Sequence, residues 1–295
     1  MKKKISGYIN RTILITGANG YVGDEFCSLL KSFDHKIIVS KCDLDHKENW
    51  RKIINEDIDF IFHLAAVETK GADLSMNSRS VLFMLETCVE KKCYPKIIFT
   101  SSTNLFGDTV DMKVNEKTPS NPISEFSAHK FLAESYLKHY YKNYNILSII
   151  LRIPNLYGPV KKGNNFERVV LNRVIKTAVK TKELILFNNM KCKRDYVYIH
   201  DLIEAIYVAG LVEENYCDGS FYVIGSNISY TIESVWKAIQ TKINSSKIFF
   251  DLNTALEPME YRDFNCDSSN FRKISGWESK ISLEKGLNLT LEQIA

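Results

Sequence analysis

Gly17, Gly20 and Gly23, in the run Gly17-Ala18-Asn19-Gly20-Tyr21-Val22-Gly23, have the spacing of a turn that holds phosphates. Gly17 allows the sharp bend, Gly20 lets the backbone approach a pyrophosphate, and Gly23 lets the following helix pack close to the preceding strand. Thr12–Thr16 (TILIT) reads as a buried strand, and Tyr21 to about Ser32 as a helix. That helix would point its free N–H groups and the positive end of its dipole at the phosphates. A strand before and a helix after distinguish a dinucleotide-binding turn from three incidental glycines. Asn19, Tyr21 and Val22 join the glycines as cofactor-contacting residues. The second strand ends at Ser40-Lys41, where an NAD-binding fold would place a carboxylate on the adenosine ribose. A hydroxyl and an ammonium there suit a 2′-phosphate, which tilts the choice between NAD and NADP towards NADP. Lys41 equally suits a solvated surface, the usual place for lysine.

The elements that must carry this turn alternate along the first half of the chain. Lys36–Ser40 (KIIVS) is a second strand, Asp59–Phe62 begins a third, and Lys96–Thr100 (KIIFT) and Asn145–Arg152 come after it. Between them, Asn77–Lys91 has helical spacing through Val81, Met84, Leu85 and Cys88, and Ser124–Lys142 is a long helix. Strands separated by helices make a parallel sheet covered on both faces. The expected fold is therefore α/β, a Rossmann-type doubly wound parallel sheet with a smaller C-terminal substrate-binding lobe. After Pro159 the rhythm changes to longer helices and scattered strands at Glu183–Leu186, Arg194–Ile199 and Phe221–Val223. This places a dinucleotide-binding domain at 1–158 and a mainly substrate-binding lobe at 159–295, with later segments free to return to the first sheet.

Composition narrows the partners. The chain has 295 residues, a net charge of +4 and 39 Lys and Arg spread along its length, which argues against a nucleic-acid groove and suits small anionic ligands. Seven cysteines without a Cys-x-x-Cys pair support neither a zinc site nor a disulfide framework. No metal is expected, and free thiols fit a reducing cytoplasm. Met1-Lys2-Lys3-Lys4 resembles the start of a signal peptide, but Gly7, Asn10 and Arg11 break up the segment after it. No run of about 18 apolar residues is present, so neither a membrane span nor a membrane partner is expected.

The Gly-x-x-Gly-x-x-Gly spacing resembles that of extended short-chain dehydrogenase/reductases, and a likeness to the nucleotide-sugar epimerase/dehydratase family runs through nearly the whole chain. Phe62-His63-Leu64-Ala65-Ala66 resembles the strand that passes under the cofactor, and Asn77 with Leu85-Glu86 resembles the next helix. Ile98-Phe99-Thr100-Ser101-Ser102 is similar to the strand that ends in the catalytic Ser or Thr, with Phe106-Gly107 in place of Tyr-Gly. Leu151-Arg152-Ile153-Pro154-Asn155-Leu156-Tyr157-Gly158-Pro159, Arg194-Asp195-Tyr196-Val197-Tyr198-Ile199-His200-Asp201, and Arg262 with Gly276-Trp277 complete the resemblance. It implies that Asp43 and Leu44 contact adenine, and that Leu64, Ala65, Ala66 and Pro154 line the cofactor. It further implies that Ser102 hydrogen-bonds the reacting sugar oxygen beside Thr103 and Asn104, and that Asn155, Arg194 and Arg262 hold the substrate's pyrophosphate. A homodimer through the Asn77 and Phe126 helices is also implied. Asp201, with Glu204 three residues on, reads as a capping box for the next helix.

One landmark departs from the family. Its catalytic pair is Tyr-x-x-x-Lys, whose spacing sets both side chains on one helical face, so that the lysine and cofactor charges lower the phenol's pKa and make it a usable base. Here the helix reads Ser124-Glu125-Phe126-Ser127-Ala128-His129-Lys130. Lys130 is in place and Phe126 has no hydroxyl. Three explanations compete: a Tyr→Phe change made to hold substrate unreacted, proton transfer by Ser124 or His129 instead, or a natural binding protein without catalysis. Retention of every neighbouring feature favours the first.

The reaction is reached by subtraction. Dehydratases of the family carry Asp-Glu after the catalytic Ser/Thr, where this chain has Thr103-Asn104, so dehydration is disfavoured. An epimerase acting through a keto-sugar is preferred. An NADPH-dependent 4-keto-sugar reductase, favoured by Ser40-Lys41, and an inactive nucleotide-sugar binder are the alternatives.

Overall fold

The computed structural model describes residues 10–294 apart from 56, 69–70, 109–112, 161–162, 244–246 and 257, so the basic start Met1–Lys4 lies outside the described residues. Six strands, β1 (Thr12–Thr16), β2 (Lys36–Val39), β3 (Phe60–His63), β4 (Lys96–Ser102), β5 (Ser148–Ile153) and β6 (Asp218–Val223), form one sheet in the order β6-β5-β4-β3-β1-β2. Every neighbouring pair is parallel. This is the doubly wound α/β fold expected from the strand–helix alternation. Strands β3 and β5 are buried at every position, which is why their sequences are apolar runs without alternation.

Helices α1 (Tyr21–Leu30), α2 (Met76–Glu90), α3 (Glu125–Tyr144) and α5 (Ile199–Leu211) cover both faces, whereas α4 (Val170–Thr181) packs within the second lobe. Successive residues of β1 point to opposite faces. Ile13 and Ile15 join Phe26, Leu202 and Ile206 in one core, while Leu14 joins Val81, Met84, Ala133 and Leu137 in the other. Strand order reverses at β1, so the chain ends of β1 and β3 diverge into a crevice at the C-terminal edge of the sheet, where ligands of such folds bind.

Beyond 158 the chain contributes to both lobes. Strand β6 pairs with β5, and α5 packs on α1 and β4, so the first sheet draws its sixth strand from the second half. The second lobe contains α4, a parallel pair Glu183–Phe187 with Lys247–Asp251, and a three-stranded sheet of Asn155–Tyr157, Lys193–Tyr198 and Ser229–Thr231. Among the described residues no helix is long and apolar enough to cross a membrane, and no group of His, Cys, Asp and Glu could hold a metal. All seven cysteines are free.

The capping box expected at Asp201 does not form. Helix α5 starts at Ile199, and Asp201 lies inside its first turn, with Oδ2 accepting bonds of 2.9 Å from Ser279 Oγ, Lys280 N and Ile281 N. A buried carboxylate is better satisfied by these three donors of an irregular segment than by its own helix. Glu204 pairs with Lys280 Nζ at 2.6 Å, so both carboxylates fasten the C-terminal segment to α5.

Candidate active site

The glycine turn is built by backbone contact. Gly17 has φ +69°, and a Cβ there would lie 2.6 Å from Ala65 N; a Cβ on Gly23 would lie 2.1 Å from Gly17 O. Both positions therefore exclude any side chain. At Gly20, the residue before α1, a Cβ would meet only Gly17 O at 3.1 Å, so the open side of the turn is where α1 presents its first N–H groups. The Tyr21 side chain turns away from that opening: its hydroxyl donates to Gly158 O at 2.8 Å and burial raises its pKa far above the usual phenol. Asn172 Nδ2 reaches the same Gly158 O at 2.8 Å, and Asn165 Nδ2 donates to Asn19 O at 2.8 Å. Tyr21 and Asn19 thus tie the turn to the 158–165 segment through their side chain and carbonyl, and the first N–H groups of α1 stay on the open side of the turn.

Beside the turn, a cavity of about 260 Å³ runs between Ser40, Cys42, Asp43 and Leu44 on one side and Ala65, Ala66 and Asn77 on the other. It gathers residues expected at the cofactor from three separate segments. Leu64 is buried behind them, and Lys41 is exposed outside the cavity lining. Asp43 Oδ1 accepts from Asp45 N at 3.0 Å, which fixes the turn after β2. The excluded side chains at Gly17 and Gly23, the open Gly20 and this cavity together fit a dinucleotide.

At the other end of the crevice, α3 is started by a capping box between Ser124 and Ser127. It buries Lys130, whose Nζ donates to Thr100 O at 2.9 Å and lies 4.5 Å from the Phe99 ring centre. Burial lowers the Lys130 pKa to about 8, against the opposing pull of Glu68 and Glu134. Phe126, half-buried, precedes it by one turn. Ser102 ends β4 two residues after Thr100, and its Oγ accepts from Asn104 N at 3.1 Å. Pro154 is buried just past β5, and Asn155 beside it is exposed.

Two expected substrate contacts are redirected. Thr103 is buried, and its hydroxyl donates to Ile153 O at 3.3 Å, so it faces the sheet rather than the crevice. Arg194 commits its guanidinium to the carbonyls of Lys193, Glu260 and Arg262, which makes it a clamp on the segment that carries Arg262. Arg262 in turn donates to Gly107 O at 2.8 Å and to Asn104 Oδ1 at 3.0 Å. Burial, with Arg194 close by and Asp108 opposing, lowers the Arg262 pKa to about 10, and the guanidinium stays charged at neutral pH.

Sequence reading missed two features. Arg152 and Glu134 form a buried bidentate pair: Nε to Oε1 at 3.0 Å and Nη2 to Oε2 at 2.6 Å, with side chains 1% and 7% exposed. Ser101 Oγ adds a 2.5 Å bond to Glu134 Oε1, and Arg152 stacks on Phe221 at 3.6 Å. The Lys130-x-x-x-Glu134 spacing, which places both on one buried face, was the available signal. The second feature is Glu68, an exposed residue beyond β3 whose carboxylate interacts with Lys130; nothing local in its sequence marks it.

Residues 13–225 match the NAD dependent epimerase/dehydratase family. The chain belongs to that family. A putative UDP-glucose 4-epimerase of Methanocaldococcus jannaschii is 24% identical over 312 aligned residues, covering 93% of this chain and 95% of that protein. Thermotoga maritima UDP-glucose 4-epimerase, solved with UDP-glucose, superposes with a TM-score of 0.85 at 23% identity, covering 95% and 97% of the two chains. A Tyr-to-Phe mutant of Bacillus cereus UDP-glucuronic acid 4-epimerase, solved with a 4-deoxy-4-fluoro substrate analogue and NAD, gives 0.82 at 23% identity, covering 96% and 98%. The epimerase/dehydratase assignment is consistent with the six-stranded parallel sheet and with the turn at Gly17–Gly23.

Proposed function

We propose that the chain is a nucleotide-sugar epimerase working by hydride transfer through a keto-sugar intermediate, in a form weakened by Phe126. The observation that carries this reading is the buried Lys130, held on Thr100 O one helical turn from Phe126 and beside the Ser102 end of β4. A nicotinamide dinucleotide, when bound, supplies hydride acceptance and return. The Gly17–Gly23 turn, with Asn19, Tyr21 and Val22 through their backbone, holds its phosphates, and the Ser40–Leu44 and Leu64–Ala66 segments, with Pro154, hold the rest. Lys130, held on Thr100 O, would bind its ribose. Ser102 binds the reacting sugar oxygen, Asn155 and Arg262 take the substrate's pyrophosphate, and Arg194 and Asn104 hold Arg262 in place.

Dehydration lacks its groups: Thr103 faces Ile153 O, Asn104 faces Arg262, and neither is a carboxylate. However Phe126 arose, it removes a proton carrier and leaves the binding elements intact. The Bacillus cereus mutant, a Tyr-to-Phe change that still binds NAD and a sugar-nucleotide analogue, supports that separation. Ser40-Lys41 favours the NADPH-dependent reductase as a second reading, and Phe126 favours an inactive binder as a third. The proposed homodimer uses α2 and α3; Phe131, Leu132 and Tyr144 are exposed on α3.

The test is to incubate the protein with NAD or NADPH and a panel including UDP-glucose and UDP-glucuronic acid. Epimer formation without net change in nicotinamide absorbance supports the proposal. Stoichiometric NADPH consumption establishes the reductase. Nucleotide-sugar binding without hydride transfer, even after Phe126→Tyr, establishes the binder.

A further inference from the structure

We infer that Asp195 is a positioning residue for the substrate, holding in register the 260–266 segment that carries Arg262. This rests on the proposed reading in which Arg262 takes the substrate's pyrophosphate. Along the segment Arg262, Phe264 and Cys266 are buried, while Tyr261, Asp263 and Asn265 between them are more exposed. That alternation is the pattern of an extended chain with one face turned inward. A slip of one residue would turn Arg262 outward, away from Gly107 O and Asn104 Oδ1. Register along the segment thus decides whether Arg262 meets its partners.

Three consecutive residues of the strand Lys193–Tyr198 fix that register. Lys193 acts through its backbone: its N–H donates to Asp263 Oδ1 at 2.6 Å, and its carbonyl accepts from Phe264 N at 3.3 Å. Arg194 donates to the carbonyls of Glu260 and Arg262. Asp195, fully buried, holds the far end, its Oδ2 accepting from Cys266 N at 3.1 Å. Its Oδ1 accepts from Ser226 N at 2.9 Å and Ser226 Oγ at 2.7 Å, which fastens the carboxylate to the turn after β6. Gly225 makes room for this contact: a Cβ there would lie 2.3 Å from Cys266 Cβ and 3.0 Å from Asp195 Oδ2. Of the three strand residues, Asp195 alone reaches past Phe264, to the point where Asn265–Cys266 pairs with Lys113–Val114.

The position calls for a group that only accepts. Its partners are two backbone N–H groups and a hydroxyl, and the carboxylate between them is shielded from water. An ionised carboxylate supplies acceptors on both oxygens. Burial pushes the Asp195 pKa up to about 6, against the donors of Ser226, Cys266 and Asn227, so the group is ionised at neutral pH. Asparagine has the same shape but only one acceptor oxygen. Its amide would set an N–H against the N–H of Cys266 or of Ser226. Asp195→Asn therefore loosens the far end of the segment without emptying the core.

The experiment measures UDP-glucose affinity of the NAD complex by calorimetry, in the unaltered chain, Asp195→Asn, Arg262→Met and the double variant. Arg262→Met should weaken UDP-glucose about tenfold or more, the loss of a charge-assisted contact. Asp195→Asn should weaken it about tenfold in the unaltered chain and less than about twofold beside Arg262→Met, where no pyrophosphate contact is left to misplace. Melting should fall by the same amount in both backgrounds, and NAD affinity should stay within about twofold throughout. Ser226→Ala removes one of the three bonds at a half-buried residue and should give the same pattern at about threefold. It carries the test where Asp195→Asn does not fold. Equal losses of UDP-glucose affinity in both backgrounds, or no loss in either, overturn the inference and leave Asp195 a purely structural residue. An Arg262→Met chain that binds UDP-glucose as the unaltered chain does, or an unaltered chain that does not bind it, overturns the reading of Arg262 instead, and the role of Asp195 falls with it.

Discussion

The two ends of the crevice are built on different principles. At the glycine turn the working atoms are backbone N–H groups, and the sequence contributes mainly by leaving side chains out at Gly17 and Gly23. At the Lys130 end the working atoms belong to side chains, each held by its own support: Thr100 O under Lys130, Asn104 N on Ser102, and Gly107 O with Asn104 on Arg262. A backbone-built site tolerates changes around it so long as the turn keeps its shape. A side-chain site can keep its geometry and lose its chemistry with one atom, and Phe126 is such a case. Binding and reaction are therefore separable in this molecule.

The sharpest way to break the comparison is at the turn. Gly23→Ala drives a Cβ into Gly17 O, so both fold and binding should suffer: dinucleotide affinity lowered more than about 100-fold and melting temperature reduced by several degrees. Gly20→Ala meets only one atom at 3.1 Å. It should leave melting within about two degrees while weakening the dinucleotide about tenfold or more, because its methyl occupies the phosphate's approach. Calorimetry and thermal unfolding separate the two outcomes. Similar losses of stability in both variants would mean that Gly20 is needed for the turn itself.

Next in size is the buried pair behind the reaction site. Arg152→Met leaves Glu134 uncompensated beneath Lys130 and should cost about 3–5 kcal/mol in denaturant unfolding. Replacing both, Arg152→Met with Glu134→Leu, should recover most of that loss, since it removes the stranded charge. A double variant as unstable as the single would show that packing of the guanidinium between Phe106 and Phe221, rather than charge, is what holds the strands.

The smallest effect is in pH. Lys130 titrates near 8 instead of 10.5, so its ammonium is present below that pH and lost above it. Affinity for the anionic cofactor should therefore weaken severalfold as pH rises from about 7 to 9.5, and Lys130→Met should flatten the profile. Stability should move the other way. Between 8 and 10.5 the unfolded chain holds the Lys130 proton more tightly than the folded chain, so this group makes stability rise with pH through that window. A cofactor affinity independent of pH would show that Lys130 does not meet the cofactor as a cation.

The fold was legible because its signals are local and repeated: apolar runs at β1 to β5, with helical patterns after β1, β3 and β4, and glycines whose spacing is the turn. The return of β6 to the sheet was less legible, because one strand pairing at long range leaves no local mark. At the site, Lys130 and Ser102 could be placed by motif, since both sit at fixed offsets on regular elements. Side-chain direction could not. Tyr21, Thr103, Arg194 and Asp201 each take a partner distant in sequence or on another element, in Gly158, Ile153, Glu260 and the 279–281 segment.

The most direct test of the separation between binding and reaction is Phe126→Tyr, assayed beside the unaltered chain with NAD and the sugar nucleotide that binds best. Both proteins should bind NAD and sugar nucleotide within about twofold, and the tyrosine should raise turnover about 100-fold or more, the usual worth of a positioned general base. Equal turnover in the two proteins would contradict the account, showing that this cleft never relied on a hydroxyl at position 126.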